Sequence, residues 1–269
     1  MTVIIIICLA VILYFALRPV IINEARNRLR RTPFPEEWKR ILDKRFPLYQ
    51  KLPAELRNQL ESDIQIFIAE KKFFGCGGLE ITDEIKVTVA AQACMLILNR
   101  KKRYFPRLMS IYIYPSTYVA KRKRHIGGGL VSEEVDVNLG ESWTDGRVVL
   151  AWDASKQGAM NMFDGHNVVF HEFAHQLDQE DGAGDGVPKL SEYSKYSTWI
   201  SVLGKEFELL KRSNKHRTVI DKYGATNGAE FFATATEAFF EKPDQLKKKH
   251  AELYEELRNY FCVDPSQWI

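Results

Sequence analysis

An α+β chain, mainly helical, with one small mixed sheet and a membrane-spanning helix in front, is what these 269 residues predict. Three observations carry this. Stretches between residues 36 and 99, and again between 193 and 260, repeat their apolar residues at helical spacing. The spacing changes to alternation only between residues 105 and 155. Residues 3–17 are apolar without a break.

The composition, 45% hydrophobic and 27% charged, is that of a globular chain. The net charge is +3, from 38 basic against 35 acidic residues, so charge gives no reason to expect direct nucleic-acid binding. Cys8, Cys76, Cys94 and Cys262 lie far apart and form no C-x-x-C pair. That excludes a zinc ribbon and speaks against a disulfide framework.

The elements follow in order. The apolar run reaches spanning length only when residues 18–22 are added, with Arg18 extending to the interface. No Lys or Arg precedes it and no small-x-small cleavage site follows, so an anchor is expected over residues 1–22 rather than a cleaved signal peptide. Arg26, Arg28, Arg30 and Arg31 fall in a basic juxtamembrane segment, residues 23–33. Together with Arg18 they orient the rest of the chain toward the cytoplasm.

Pro33-Phe34-Pro35 closes that segment, and residues 34–269 read as one domain with no repeat or linker. Helices are expected over residues 36–45, 54–72 and 83–99. The last has Thr82 as its cap and is apolar enough to be buried. The glycines of residues 75–78 break the pattern before a short strand at 79–81. Strands follow at residues 109–114, 130–137 and 146–152, with Gly127-Gly128-Gly129 as a turn. Residues 146–152 are the candidate for the sheet edge on which a peptide would lie. Helices close the chain at residues 193–212, 229–240 and 244–260.

The chemistry gathers at Asn167-Val168-Val169-Phe170-His171-Glu172-Phe173-Ala174-His175. On a helix His171 and His175 lie one turn apart on one face, the spacing at which two imidazoles hold one Zn²⁺. Glu172 stands beside them as general base toward a water at the metal.

A catalytic zinc needs a third protein ligand. Asp181 lies six residues after His175, but Asp178 stands where that pattern requires glycine. Glu230 and Glu237 lie on one face of an otherwise apolar helix, where a carboxylate is costly to bury unless paired or coordinated. That is the zincin arrangement in which a second helix supplies the ligand. Local reading leans slightly to Glu230, and an Asn227–Glu230 capping box competes with it. Tyr223, shortly before that helix, is placed to donate to an oxyanion. Asp178 is placed to accept the second N–H of an imidazole ligand.

These residues carry a resemblance. His171-Glu172-Phe173-Ala174-His175-Gln176-Leu177-Asp178, Gly186-Val187-Pro188 and the stretch Tyr223-Gly224-Ala225-Thr226-Asn227-Gly228-Ala229-Glu230-Phe231-Phe232-Ala233 are similar to the Mlc titration factor A family, bacterial zinc-dependent peptidases of the zincin type. Pro33-Phe34-Pro35-Glu36-Glu37-Trp38 and Val148-Val149-Leu150-Ala151-Trp152-Asp153 match as well. The resemblance implies one Zn²⁺ on His171, His175 and Glu230, Glu172 as general base, and Tyr223 as catalytic helper. It implies a zincin-like, mainly helical fold around a small sheet, a peptide or protein substrate, and a bacterial cytoplasmic membrane for the anchor. The family is named for a member that inactivates a glucose-regulated transcriptional repressor, so a repressor or comparable partner is the alternative role: a regulatory binding protein.

Overall fold

The computed structural model describes the backbone of residues 2–100, 104–116, 118–125, 131–138, 140–143, 146–213 and 218–268. Side chains are described over the same residues, except 2–6, 8–12, 118–125, 131–138, 141 and 143. The Gly127–Gly129 turn lies outside this set.

The N-terminal helix α1 (Thr2–Arg31) runs without interruption past Pro19 into the basic segment. Its last turns are docked on the domain. Arg26 pairs with Glu70 at 2.6 Å and stacks over Tyr104, whose hydroxyl donates to the fully buried Asp63 at 2.7 Å. Arg26 and Arg30 therefore face protein. The expected membrane span is not recovered: among the described residues no helix is long and apolar enough to cross a membrane. Most of the apolar run's side chains lie outside the described set. Those that are described, Leu13, Tyr14, Phe15, Leu17, Val20 and Ile21 among them, are exposed.

Helices α2 (Glu36–Arg45), α3 (Leu48–Lys51) and α4 (Ala54–Glu70) lead to α5 (Asp83–Met95). Thr82 caps α5 by accepting the Ile85 N–H, and α5 is buried on nearly every side from Ile85 onward. It packs against α2 and α4. The larger sheet has the order β1-β2-β6-β5. Strands β1 (Lys72–Gly75), β2 (Ser110–Tyr114) and β6 (Arg147–Ala151) are parallel, and β5 (Gly140–Trp143) is antiparallel to β6. Strands β3 (Tyr118–His125) and β4 (Val131–Asn138) form a separate hairpin.

Three expectations are corrected here. The strand before α5 is β1 at 72–75, not 79–81, because Phe73 and Phe74 pair with β2. The expected substrate edge, 146–152, is interior: β6 lies between β2 and β5, and the edge is β5. The last expected helix is broken in two at His250, whose backbone leaves the helical region while its Nδ1 bonds Glu206 at 2.8 Å.

After the sheet come α6 (Trp152–Met160) and α7 (Val168–Asp178), which carries the H-E-x-x-H motif. Helices α8 (Tyr196–Arg212), α9 (Gly228–Glu241), α10 (Pro243–Lys249) and α11 (Ala251–Phe261) complete the domain. Phe67, Phe105 and Phe173 pack edge to face beneath α7, and Phe170 packs on Phe240 of α9. Such pairs add directional contacts to the area they bury, and they set α7 against α9.

Candidate metal centre

Both helices begin with a side-chain cap. Asn167 Oδ1 accepts the Phe170 N–H at 3.0 Å, and Asn227 Oδ1 accepts the Glu230 N–H at 2.9 Å. The capping reading of Asn227 is thus correct, but it does not use the Glu230 carboxylate. That group points across to α7, where its Oε2 lies 2.9 Å from His171 Nε2 and 3.4 Å from His175 Nε2. The two imidazole nitrogens are 3.2 Å apart. Donors held about 2.1 Å from one tetrahedral cation stand about 3.4 Å from each other. Three donors of the right chemistry therefore surround a space of the right size, and they are the one such group found among the described residues.

Glu237 stands outside the His–His–Glu group and pairs with His171 from the other side. Its Oε1 takes His171 Nδ1 at 2.8 Å, and its Oε2 takes the Asn167 N–H at 2.5 Å. A carboxylate only accepts, so Nδ1 donates to Glu237, and Nε2 is the nitrogen turned toward Glu230 and His175. Burial alone would push the His171 imidazole toward neutrality. The Glu230 and Glu237 carboxylates overcome it and hold its pKa well above the ordinary range. Burial likewise works against Glu230 ionisation, but the two imidazoles bring its pKa down to about 2.

One assignment changes, and a disfavoured candidate falls away. Asp178 does not turn to an imidazole: both its oxygens accept the Gly186 N–H, at 3.0 and 2.9 Å. Burial raises its pKa to about 6. Asp181 accepts the Ala183 N–H in a local turn and stands outside the metal group.

The Asp178–Gly186 contact ties the loop after α7 to the start of α9. Gly186 has φ +88°, and a Cβ there would lie 2.3 Å from the Gly228 carbonyl oxygen, two residues before Glu230. We predict that Gly186→Ala lowers stability by at least about 2 kcal/mol, several degrees of melting temperature. Gly184→Ala, also at positive φ but facing only the Gln179 side chain, should cost less. Equal melting losses for the two would contradict this.

Glu172 is 6% exposed and lines a cleft of about 480 Å³ with His171, Tyr223, Gln157 and Val168. Edge strand β5 passes close to it: a Cβ on Gly140 would lie 2.7 Å from the Glu172 carboxylate and 2.6 Å from a Val168 methyl, so a side chain there would displace one or both. Gln176 fixes the strand further by donating to Ser142 Oγ at 2.7 Å. Tyr223 is 57% exposed at the rim, its ring centroid 6.0 Å from that of His171.

Glu241 went unnoticed in the sequence. Its Oε2 accepts the N–H groups of Gly165 at 2.9 Å and His166 at 3.1 Å, holding the turn that leads into α7. The signal was its place four residues after Glu237 on an apolar helix. Burial raises its pKa to about 8. The folded state then binds more protons than the unfolded chain between the usual carboxyl value and about 8, so stability falls as pH rises through that window. Glu241→Gln keeps the acceptor and removes the charge. It should melt above wild type at pH 8 and near it at pH 5; parallel melting curves at both would count against this.

The family of glucose-regulated metallo-peptidases M90 has a sequence profile that matches residues 21–262. The chain belongs to this family. A Synechocystis sp. relative, "Uncharacterized protein slr2042", is 42% identical over 262 residues, 96% of this chain and 95% of its own length. Proteins named Mlc titration factor A are more distant. The one from Salmonella arizonae is 27% identical over 234 residues, 82% of this chain and 89% of its own; that from Yersinia pestis is 26% identical over 236 residues, 85% of each. The family's description is that of a metallopeptidase, which supports a peptidase-like function, and the His–His–Glu group is where, among the described residues, a metal fits.

Proposed function

We propose that this M90 chain is a zinc-dependent peptidase whose metal is held by His171, His175 and Glu230. The observation that carries the reading is the donor triangle of 2.9, 3.2 and 3.4 Å formed by groups from two separate helices beside the Glu172 carboxylate. When bound, zinc supplies Lewis acidity toward a carbonyl and lowers the pKa of a water. The chain does the rest. Glu172 takes the proton of the attacking water and passes it to the leaving amine. The Tyr223 hydroxyl donates to the oxyanion that develops on the scissile carbonyl. Exposed backbone groups of β5 hold the peptide as an added strand along the cleft. Glu237 and Asn167 keep His171 in its metal-facing tautomer.

The chain is further proposed to sit in a bacterial cytoplasmic membrane through residues 1–22, with the peptidase domain in the cytoplasm. The support is the apolar run of residues 3–17 and the continuity of α1 into the arginines docked on the domain.

Zinc-loaded protein should cleave unstructured peptides, lose the activity to a chelator and regain it on adding zinc. The relatives' name, Mlc titration factor A, favours a second reading in which the shell captures a protein partner. Metal-loaded protein that cleaves no peptide but retains a repressor would choose that reading.

A further inference from the structure

A second cavity, about 530 Å³, adjoins the cleft. His166 and Asp221 line both cavities, with His166 Nε2 3.7 Å from Asp221 Oδ2, so the two spaces are separated by one shared wall.

Its charged lining is Asp164, His166, Asp221, Lys222, Lys242 and Lys249. Most of these are engaged locally. Asp164 accepts the Asn161 side-chain amide and the His166 N–H. Asp221 accepts the Tyr223 N–H at 2.6 Å and faces His166. Lys222 donates to the carbonyls of Leu210, Lys211 and Ser213. Lys242 and Lys249 remain: among the described residues neither has a carboxylate within ion-pair distance. Lys242 is partly buried, and its Nζ lies over Gly165, 2.5 Å from where a Cβ would stand, at the turn fixed by Glu241. Two ammonium groups at a cavity, one of them partly buried, are suited to a carboxylate.

We propose that this cavity is a specificity pocket for a carboxylate of the peptide, taken from an acidic side chain or the C-terminus, between Lys242 and Lys249. It deepens the peptidase reading and rests on the neighbouring cleft being where peptides bind.

Binding is measured by calorimetry on zinc-loaded Glu172→Gln protein, so that the readout does not need turnover. The probes are C-terminally amidated alanine hexapeptides with one Glu or one Gln at each successive position, and the all-alanine hexapeptide as free acid and as amide. At one position Glu should bind about tenfold tighter than Gln, or the free acid about tenfold tighter than the amide, an advantage that weakens with salt. The first result assigns the side chain as the source, the second the terminus. Lys242→Gln/Lys249→Gln should erase the preference, and Lys242→Arg/Lys249→Arg should keep it, with both double variants melting like their parent. No preference at any position, or one that survives the Gln pair, overturns the proposal. A preference that behaves as stated in protein that never cleaves peptides sustains the pocket and sinks only the peptidase reading.

Discussion

Glu172→Gln should lower peptide hydrolysis by about a thousandfold while leaving metal content and melting temperature near those of wild type. The size of the loss follows from the role. A general base contributes about 10² to 10⁴ in rate, and glutamine has the shape of glutamate without its ability to take a proton. The retention of fold follows from the surroundings. Glu172 fits under Gly140 of the edge strand with no room for a larger group, and glutamine is no larger. It is not one of the three clustered donors, so metal content should hold. Turnover equal to wild type would remove Glu172 from the chemistry. Loss of metal along with activity would mean that the site had come apart.

Glu230→Ala should strip the metal. Two imidazoles one turn apart are half of a tetrahedral shell, and the missing carboxylate comes from another helix, with no further carboxylate in the donor group among the described residues. Glu237 is committed to His171 Nδ1 and the Asn167 N–H, and Asp181 stands outside the donor group. Affinity should fall by well over a hundredfold. Glu237→Ala removes the partner that orients His171 and should cost about ten- to a hundredfold. Asp181→Ala should change nothing. Competition with a chromophoric chelator gives all three affinities on one scale. An order in which Glu237 or Asp181 outranks Glu230 would contradict the ligand assignment.

The contrast between these carboxylates shows what the sequence could carry. The motif helix was legible because two ligands and the base lie within five residues, where helical period alone sets their geometry. Helix α9 was legible as an apolar helix with carboxylates on one face. Which carboxylate meets the metal depends on how far α9 slides along α7. The Asp178–Gly186–Gly228 contact and the Phe170–Phe240 pair bear on that register, and neither has a local signature. Resemblance chose Glu230 where spacing did not, and the structure brings Glu230 beside both imidazoles and Glu237 beside one.

Asp178 was misread for the same reason: its neighbour proved to be a loop glycine eight residues on. Strand β5 had no legible pattern because four residues, Gly-Glu-Ser-Trp, are too few to show alternation. The edge strand was therefore assigned one strand too far in. Helix α6 and the break at His250 are likewise imposed by packing rather than by any breaker in the chain.

The most direct test is where a metal sits. Diffraction data collected on either side of the zinc absorption edge from zinc-loaded crystals should show one anomalous peak per chain, bonded to His171 Nε2, His175 Nε2 and a Glu230 oxygen, with a position left open toward the cleft. A peak elsewhere, no peak at full zinc loading, or a fourth protein ligand closing the site would contradict the account.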